Sequence, residues 1–320
     1  MEHPGPEISQ EDSSRERKLA VCSGAGTLGP ADRAEILVVL STDPDEVVAQ
    51  QASEALQSQP MEAFVEALKR GEAIPALFRY AANHLVGKTA VAEALVHNRN
   101  CPSKFITPHV PYLSAMSVQA LMDSLDRVAE SALLAEALLQ SSSATADNKR
   151  VLHELLGPDI PVDEKALMEA LLDVEPDAER RQTLLQRLSK MSVSERVQFA
   201  IKGGSEARRT LIRDSNKVVQ RAVLQSPRLT DQEVEAFASM ASLTDEILRL
   251  IANNRAFRKN YAVVRNLMNN SKTPLDVTLH MLPTLNAMDL KKLSTNKNVP
   301  ETLRTTAVKL IRTRALSRPG

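Results

Sequence analysis

Apolar side chains recur every three to four residues along most of this chain, which is the spacing of an amphipathic α-helix. The first clear case follows Asp32, where Ile36, Leu37 and Leu40 share one helical face. Runs of alternating β-branched residues, which would indicate strands, are nearly absent, and the strong helix formers Ala and Leu fill most apolar positions. The pattern therefore predicts an all-helical protein.

Two stretches, Leu95 to Leu121 and Leu267 to Leu293, repeat one another without a gap. Both read L-x-x-N-x-x-x-P-x8-P-x-L-x-A-M-x4-L. The matched positions are Leu95 and Leu267, Asn98 and Asn270, Pro102 and Pro274, Pro111 and Pro283, Leu113 and Leu285, Ala115 and Ala287, Met116 and Met288, and Leu121 and Leu293. The offset between the two copies equals four steps of 43.

A 43-residue step also relates single apolar positions, from Leu224 to Leu267 to Leu310 and from Ile247 to Leu290. Periods of roughly 40 to 47 residues are typical of arrays of paired helices, in which each unit buries its apolar face against its neighbours. We therefore predict an α-solenoid, a superhelix of stacked helical pairs with repeats of about 43 residues.

The segment Asp43 to Ala52 reads D-P-D-E-V-V-x-x-x-A, and a related pattern returns at Asp214 to Ala222. Between them, Leu-x-x-Asn is followed by Pro four residues after the Asn. The pattern at Asp43 to Ala52 resembles HEAT-like repeats, and the Leu-x-x-Asn pattern with its later Pro resembles bacterial leucine-rich variant repeats. This resemblance to helical repeat proteins of uncharacterised function covers about residues 31 to 312. It implies stacked helices, with an Asp that caps the second helix of a pair.

Changes in composition divide the chain into five predicted segments. Residues 1–30, rich in Gly, Pro, Ser and charge, are expected to be a disordered N-terminal tail. An N-terminal helical repeat arm over 31–145 ends at the polar Ser141 to Asn148 stretch. A less regular helical segment spans 146–204 and ends at Gly203-Gly204. A basic C-terminal helical repeat arm spans 205–313, and 314–320 is expected to be a frayed tail.

The recurring Asn and Pro residues indicate chain reversals between helices. Asn270 is expected in a turn, because Asn tolerates the left-handed backbone conformation. Thr273 would then cap a helix that begins at Pro274, and the same reasoning applies from Asn296 to Pro300.

Aromatic residues make up 3% of the chain and Trp is absent, so the core is expected to consist of Leu, Ala, Val, Ile and Met. The 40 basic and 40 acidic residues balance overall, but residues 201–320 hold 21 basic and 10 acidic side chains. Cys22 and Cys101 lie far apart, which fits a reducing compartment. No apolar run is long enough for a membrane span, and we expect a cytoplasmic protein without membrane association.

Motifs that could carry catalytic or metal chemistry are weak. Gly24 to Gly29 matches G-x-G-x-x-G but lacks a strand before it. His97 and Cys101 are four apart, but their counterparts in the second copy, Asn269 and Thr273, are not metal ligands. The isolated His153 and His280 have no catalytic partner in sequence. We therefore expect no catalytic residues, no metal site and no cofactor.

The clearest functional signal is a set of basic residues in the C-terminal arm, which we call the basic ridge. Its members are Arg208, Arg209, Arg213, Lys217, Arg221, Arg249, Arg255, Arg258, Lys259, Lys291 and Lys292. They are predicted to be exposed, with Arg249 and Lys292 one period apart on one surface. Such a surface suits an acidic protein or the phosphates of a nucleic acid.

Two functions follow from this pattern. The first is a non-enzymatic scaffold that binds a protein partner, possibly an acidic one, through a helical-repeat groove or the basic ridge. The second is a nucleic-acid-binding protein, in its enzymatic form similar to HEAT-like alkylpurine DNA glycosylases. Because aromatic rings are few in this arm, with Phe257 and Tyr261 the candidates for base stacking, and Trp is absent, we prefer the protein partner.

Overall fold

The computed structural model describes residues 10–25, 27–157, 168 and 177–316. Within these residues it contains 22 α-helices, two short 3₁₀ helices and no strand, so the prediction of an all-α protein is confirmed. The chain divides into two compact units, Met1–Leu156 and Gly157–Gly320. No helix in the described part of the chain is both long enough and apolar enough to cross a membrane.

The first unit contains eleven α-helices and one 3₁₀ helix among its described residues. They are α1 (Gln10–Ser23), α2 (Pro30–Leu40), α3 (Glu46–Gln57), α4 (Met61–Lys69), α5 (Pro75–His84), α6 (Thr89–His97), α7 (Ser103–Ile106), η1 (Thr107–Tyr112), α8 (Ala115–Met122), α9 (Leu125–Ala129), α10 (Ala132–Gln140) and α11 (Ala146–Leu156). The last of these packs on α10, so the first unit extends past the predicted arm boundary at residue 145.

Helix α1 shows that the predicted disordered tail is wrong for residues 10–23. Cys22 is buried against α3, and Arg15 and Lys18 form ion pairs with Asp45 and Asp43 at 2.6 and 2.8 Å. The polar composition misled the prediction because the helix docks through a few apolar residues and these charges. Residues 1–9 lie outside the described part of the chain.

The second unit contains eleven α-helices and one 3₁₀ helix among its described residues. They are α12 (Ala178–Ser189), α13 (Val193–Lys202), α14 (Ser205–Leu211), α15 (Lys217–Leu224), α16 (Asp231–Ser239), α17 (Asp245–Asn253), α18 (Arg255–Arg258), α19 (Tyr261–Asn269), α20 (Leu275–Met281), η2 (Leu282–Thr284), α21 (Ala287–Thr295) and α22 (Glu301–Leu316). The prediction of a frayed tail is wrong for residues 314–316, which continue α22. Residues 317–320 are not described.

Helices within each unit pack mainly on their neighbours along the chain, and the commonest strong contact joins a helix to the next but one. In the first unit this series is α2, α4, α6 and α8. In the second unit one series is α13, α15 and α17, and another is α16, α19 and α21, with the single turn of α18 between its members. Successive members of these series begin 24 to 31 residues apart.

The predicted 43-residue step corresponds to three helices in the second unit, so the prediction that it holds one helical pair is wrong. The helices that begin at Lys217, Asp231 and Asp245 are followed, close to one predicted period later, by the three helices α19, α20 and α21. When the single turn α18 is left aside, each such step advances three helices, one and a half pairs. Leu224 and Leu267 both lie in helices, so the 43-residue period does relate two helical positions. It relates the first helix of one pair to the second helix of another.

The two copies of the long repeat have the same local structure. Leu113 and Leu285 are 3% and 2% exposed, and each directly follows a proline-containing 3₁₀ helix. The next residue caps a helix in both copies: Ser114 accepts from the Ser117 N–H and Asn286 from the Asp289 N–H. Helices α6 and α19 begin and end at positions separated by the same offset as the two copies, so the correspondence extends to residues before Leu95 and Leu267.

Asn98 and Asn270 join successive helices without a left-handed backbone conformation, so the prediction of a left-handed turn at Asn270 is wrong. The φ of Asn98 is −78° and that of Asn270 is −84°. Asn98 Nδ2 donates to the carbonyls of Leu68 and Arg70 at 2.6 and 2.8 Å. Asn270 Nδ2 donates to those of Ala238 and Met240, both at 3.0 Å. Each side chain fixes the end of a helix that lies one helical pair earlier in the chain.

The capping predictions hold in part. Asp45 caps α3, since its Oδ1 accepts from the N–H groups of Val47 and Val48 at 2.9 and 3.4 Å. Thr273, however, is buried one residue before the true N-cap of α20, Pro274. The hydroxyl of Thr273 therefore does not serve as the predicted cap.

Candidate functional site

The eleven cations of the basic ridge do not share one exposed surface. Arg208 is 3% exposed, and its Nε and Nη2 donate to the two carboxylate oxygens of Glu233, each at 3.0 Å. Its Nη1 donates to the Gly203 carbonyl at 2.9 Å. Burial alone would raise the pKa of Glu233, but hydrogen bonds from Arg208 and Thr230 hold it below the ordinary value. The prediction that Arg208 is exposed is wrong, because this ion pair joins α14 to α16.

Three further ridge residues pair with carboxylates on a later helix. Lys217 and Arg221 share Glu246 at 3.3 and 2.6 Å. Arg249 pairs with Asp276, and its hydrogen bonds lower the pKa of that carboxyl. These pairs link α15 to α17 and α17 to α20, so three ridge cations are engaged by carboxylates of the chain. Arg213, a fifth member of the ridge, is half-buried.

The remaining six members keep their charge available. Arg209, Arg255, Lys259, Lys291 and Lys292 are exposed, Arg258 is half-buried, and among the described residues none of the six pairs with a carboxylate. The structure brings two of them, Arg258 and Lys259, to one concave site.

This site, which we call the cationic cavity, has a volume of about 230 Å³. Its lining residues are Arg258, Lys259, Tyr261, Val264, His280, Met281 and Thr284. Val264 and Met281 are buried and form an apolar floor, while Lys259 and His280 are exposed at the rim. Three basic groups and two hydroxyls therefore surround the cavity, and none of its described lining residues is a carboxylate.

Short capped helices place these basic groups. Asn254 starts the single turn of α18 by accepting from the Ala256 N–H at 2.9 Å, and Asn260 starts α19 by accepting from the Ala262 N–H at 2.9 Å. The backbone therefore leaves α18 and enters α19 within a few residues, with Arg258 and Lys259 on the connecting turn. Opposite them, α20 and η2 supply the other wall.

Tyr261 connects the cavity to the start of α21. Its hydroxyl donates to Asp289 Oδ2 at 2.6 Å and accepts from the Asn286 N–H at 3.1 Å. Burial and the bond to Asp289 raise the pKa of Tyr261. Asp289 also accepts from Asn286 Nδ2 at 3.0 Å, so this neighbouring carboxylate is engaged by the α21 cap.

The first copy of the repeat has different side chains at the equivalent place. Positions 258, 259, 280 and 284 correspond to Val86, Gly87, Pro108 and Tyr112. Gly87 has a φ of +90°, and a Cβ added to it would lie 3.8 Å from the ring of Tyr112. The aromatic ring thus covers the glycine where the second copy has Lys259 and Thr284.

The other sequence motifs have structural positions. Gly24, with a φ of +81°, ends α1, while Gly26 of the same motif is outside the described residues. His109 is buried with Nε2 on the Ala81 carbonyl, and burial raises the pKa of the Cys101 thiol to about 12. Within the described ranges, no group of three or more His, Cys, Asp and Glu side chains is placed to hold a metal ion.

Comparison with known proteins adds no relative: no family model, curated protein or solved structure matches this chain.

Two contributors to the cavity were missed from the sequence. His280 has no catalytic partner nearby in sequence, and Thr284 is of a residue type that is common on protein surfaces. Both differ from their first-copy counterparts, Pro108 and Tyr112, so a position-by-position comparison of the two copies was the signal that could have identified them.

Proposed function

We propose that this chain is a non-enzymatic interaction scaffold whose helical pairs stack within each unit, and that the second unit binds an acidic segment of a protein partner. The observation that supports the proposal is the cationic cavity, where Arg258, Lys259 and His280 converge without a carboxylate among the described lining residues. Arg255 lies exposed on the same helical turn as Arg258 and extends the positive surface.

The contrast between paired and unpaired cations argues for a binding role. Most arginines that bridge helices in this unit have a carboxylate partner, as Arg208, Arg221 and Arg249 do. The like charges of Arg258 and Lys259 at one cavity, without such partners, repel one another, and this cost is relieved when an anionic partner binds. Arg is also enriched among the residues that contribute most to protein interfaces.

Nucleic-acid binding is the second candidate, and it is favoured by the 37% exposed ring of Tyr261 beside these cations, which could stack on a base. Binding along a phosphate backbone, however, uses a row of free cations. Four of the eleven ridge residues, Arg208, Lys217, Arg221 and Arg249, are held in ion pairs, so the protein partner is preferred.

The test is fluorescence anisotropy with the full chain and two labelled probes, a twelve-residue Glu- and Asp-rich peptide and a twenty-base-pair DNA duplex. The acidic peptide should bind, and the triple variant Arg255→Gln, Arg258→Gln, Lys259→Gln should weaken it about tenfold or more. That loss corresponds to about 1.4 kcal/mol, well within the contribution of three charged contacts.

The matched control removes three exposed cations elsewhere in the second unit, with Lys190→Gln, Lys202→Gln and Lys309→Gln. It has the same net charge as the test variant and should weaken binding less than about threefold. Equal losses in the two variants would mean that only overall charge matters and would refute the proposed surface. Tight binding of the duplex, with the peptide inert, would favour the second candidate.

A further inference from the structure

The cationic cavity arises from side-chain differences on a duplicated backbone frame. Helices α6 and α19 begin and end at matched positions of the two copies, and α7 and α20 begin in register, as do α8 and α21. Four positions on this frame change from Val86, Gly87, Pro108 and Tyr112 to Arg258, Lys259, His280 and Thr284. Three of these changes add a basic group, and the fourth removes the aromatic cover.

The half-buried Arg258 indicates what the cavity lacks within the chain. Its Nε is shielded from solvent and makes no hydrogen bond with any described residue. A buried donor without an acceptor is unfavourable, so a shift of the Arg258 guanidinium that lets it donate to a ligand would be favoured. Lys259 and His280, at the same site, also form no ion pair with any described residue.

The number of donors favours phosphate over carboxylate. A carboxylate offers two oxygens and one negative charge, whereas a phosphate monoester offers three terminal oxygens and a charge of about −1.5 to −2 near neutral pH. Guanidinium, ammonium and imidazole supply three kinds of nitrogen donor around one cavity, whereas the Thr284 hydroxyl already donates to the Met281 carbonyl at 2.7 Å. Arg is the residue that most often recognises phosphate through paired N–H groups.

The size of the cavity favours one phosphate group over a larger ligand. Its volume of about 230 Å³ is below the roughly 300 to 1,000 Å³ of sites for drug-sized molecules. It equals the space of about eight water molecules at roughly 30 Å³ each, enough for a phosphate and the few atoms that attach it. The apolar floor of Val264 and Met281 suits those attaching carbons.

From this geometry we infer that the cationic cavity binds a phosphate monoester carried on a phosphorylated side chain of the partner. The inference rests on the proposed function, since it specifies what the acidic segment presents to the second unit. Arg258 meets the phosphate from the half-buried wall and Lys259 and His280 meet it from the rim, while the small Thr284 side chain leaves room for the phosphate where the first copy has Tyr112.

Met281 provides a direct readout, because it is one of ten methionines and its side chain lines the cavity. The full chain, labelled with ¹³C on the methionine methyl groups, is titrated with acetyl-Gly-phosphoserine-Gly-amide, with the Ser and Glu versions, and with inorganic phosphate. The Met281→Leu variant assigns the signal. The phosphopeptide should shift the Met281 methyl and bind at least tenfold more tightly than the other three probes.

The charge-neutral variant Thr284→Tyr restores the aromatic cover of the first copy and should abolish the phosphopeptide shift. Arg258→Gln should do the same without adding bulk, which covers the case that the tyrosine disturbs folding. The matched control Tyr112→Thr changes the equivalent position of the first unit and should leave the Met281 titration unchanged.

Two results would overturn the inference: equal binding of the Glu and phosphoserine peptides, or inorganic phosphate binding as tightly as the phosphopeptide. A phosphopeptide shift that survives in both Thr284→Tyr and Arg258→Gln would also overturn it. If the twelve-residue acidic peptide still binds in a manner that depends on Arg255, Arg258 and Lys259, then the phosphate inference alone has failed. Loss of both kinds of binding removes the proposed function as well.

Discussion

Replacing Asn270 with Ala should destabilise the second unit strongly, although the side chain is small and lies in a turn. Asn270 is 7% exposed, donates to the Ala238 and Met240 carbonyls at 3.0 Å, and accepts from the Lys272 N–H at 3.0 Å. Each hydrogen bond contributes roughly 0.5 to 1.5 kcal/mol, so the loss of all three should cost about 2 to 4 kcal/mol. The Ala238 carbonyl lies in the last turn of α16, where helical donors are lacking.

The assay is urea unfolding followed by far-ultraviolet circular dichroism. Asn253→Ala is the matched control, since Asn253 is exposed at the end of α17, and it should change stability by less than about 0.5 kcal/mol. Asn98→Ala removes the equivalent ties to Leu68 and Arg70 and should act on the first unit. The effects of the two substitutions should therefore add in the double variant.

A cost for Asn270→Ala no larger than that of Asn253→Ala would show that the inter-helix bonds contribute nothing net. Asn270→Asp separates the two roles of the side chain, because Asp keeps the acceptor for Lys272 but has no N–H donors. It should be at least as destabilising as Ala near neutral pH, where a buried charge would face two carbonyls.

Two other positions give sharp tests of the packing. Glu233→Gln should cost about 3 to 5 kcal/mol, measured as a lowered melting temperature, because Arg208 stays charged and buried. The folded pKa of Glu233 lies below its ordinary 4.5, so the ion pair contributes its full stability above pH 4.5 and loses it as pH falls through the folded value. The Gln variant should lack this acid dependence. Gly203→Ala should cost about 1 to 3 kcal/mol, because an added Cβ would lie 2.5 Å from the Phe199 carbonyl oxygen, whereas Gly204→Ala, with no atom within 4 Å, should be nearly neutral in the same denaturation assay.

The sequence was sufficient for the helical class and for the long internal repeat. The repeat predicts similar surroundings for Leu113 and Leu285, and both side chains are buried. The length of the packing unit was not recoverable in the same way. Apolar residues face the core in every helix, so a period of three helices matches them as well as a period of two.

Exposure of charged residues was the weakest expectation. Arg208 and Arg209 are adjacent in sequence and alike in chemistry, yet one is buried and the other exposed. The difference depends on Glu233, two helices later, which meets only one of them. Partners at such distances become visible only once the helices are placed, and the same holds for the cavity between α18 and η2.

Most side-chain hydrogen bonds between helices in each unit connect a helix to a neighbouring pair, either later or earlier in the chain. The bond from Ser103 to Arg127 runs forward, and the bond from Asn270 to Ala238 runs back. Closing loops of that length carries a modest entropic cost, and proteins rich in such local contacts fold quickly. Each pair can consequently acquire its neighbours while later segments are still being synthesised. The growing polypeptide need not wait for a distant terminus before it begins to order.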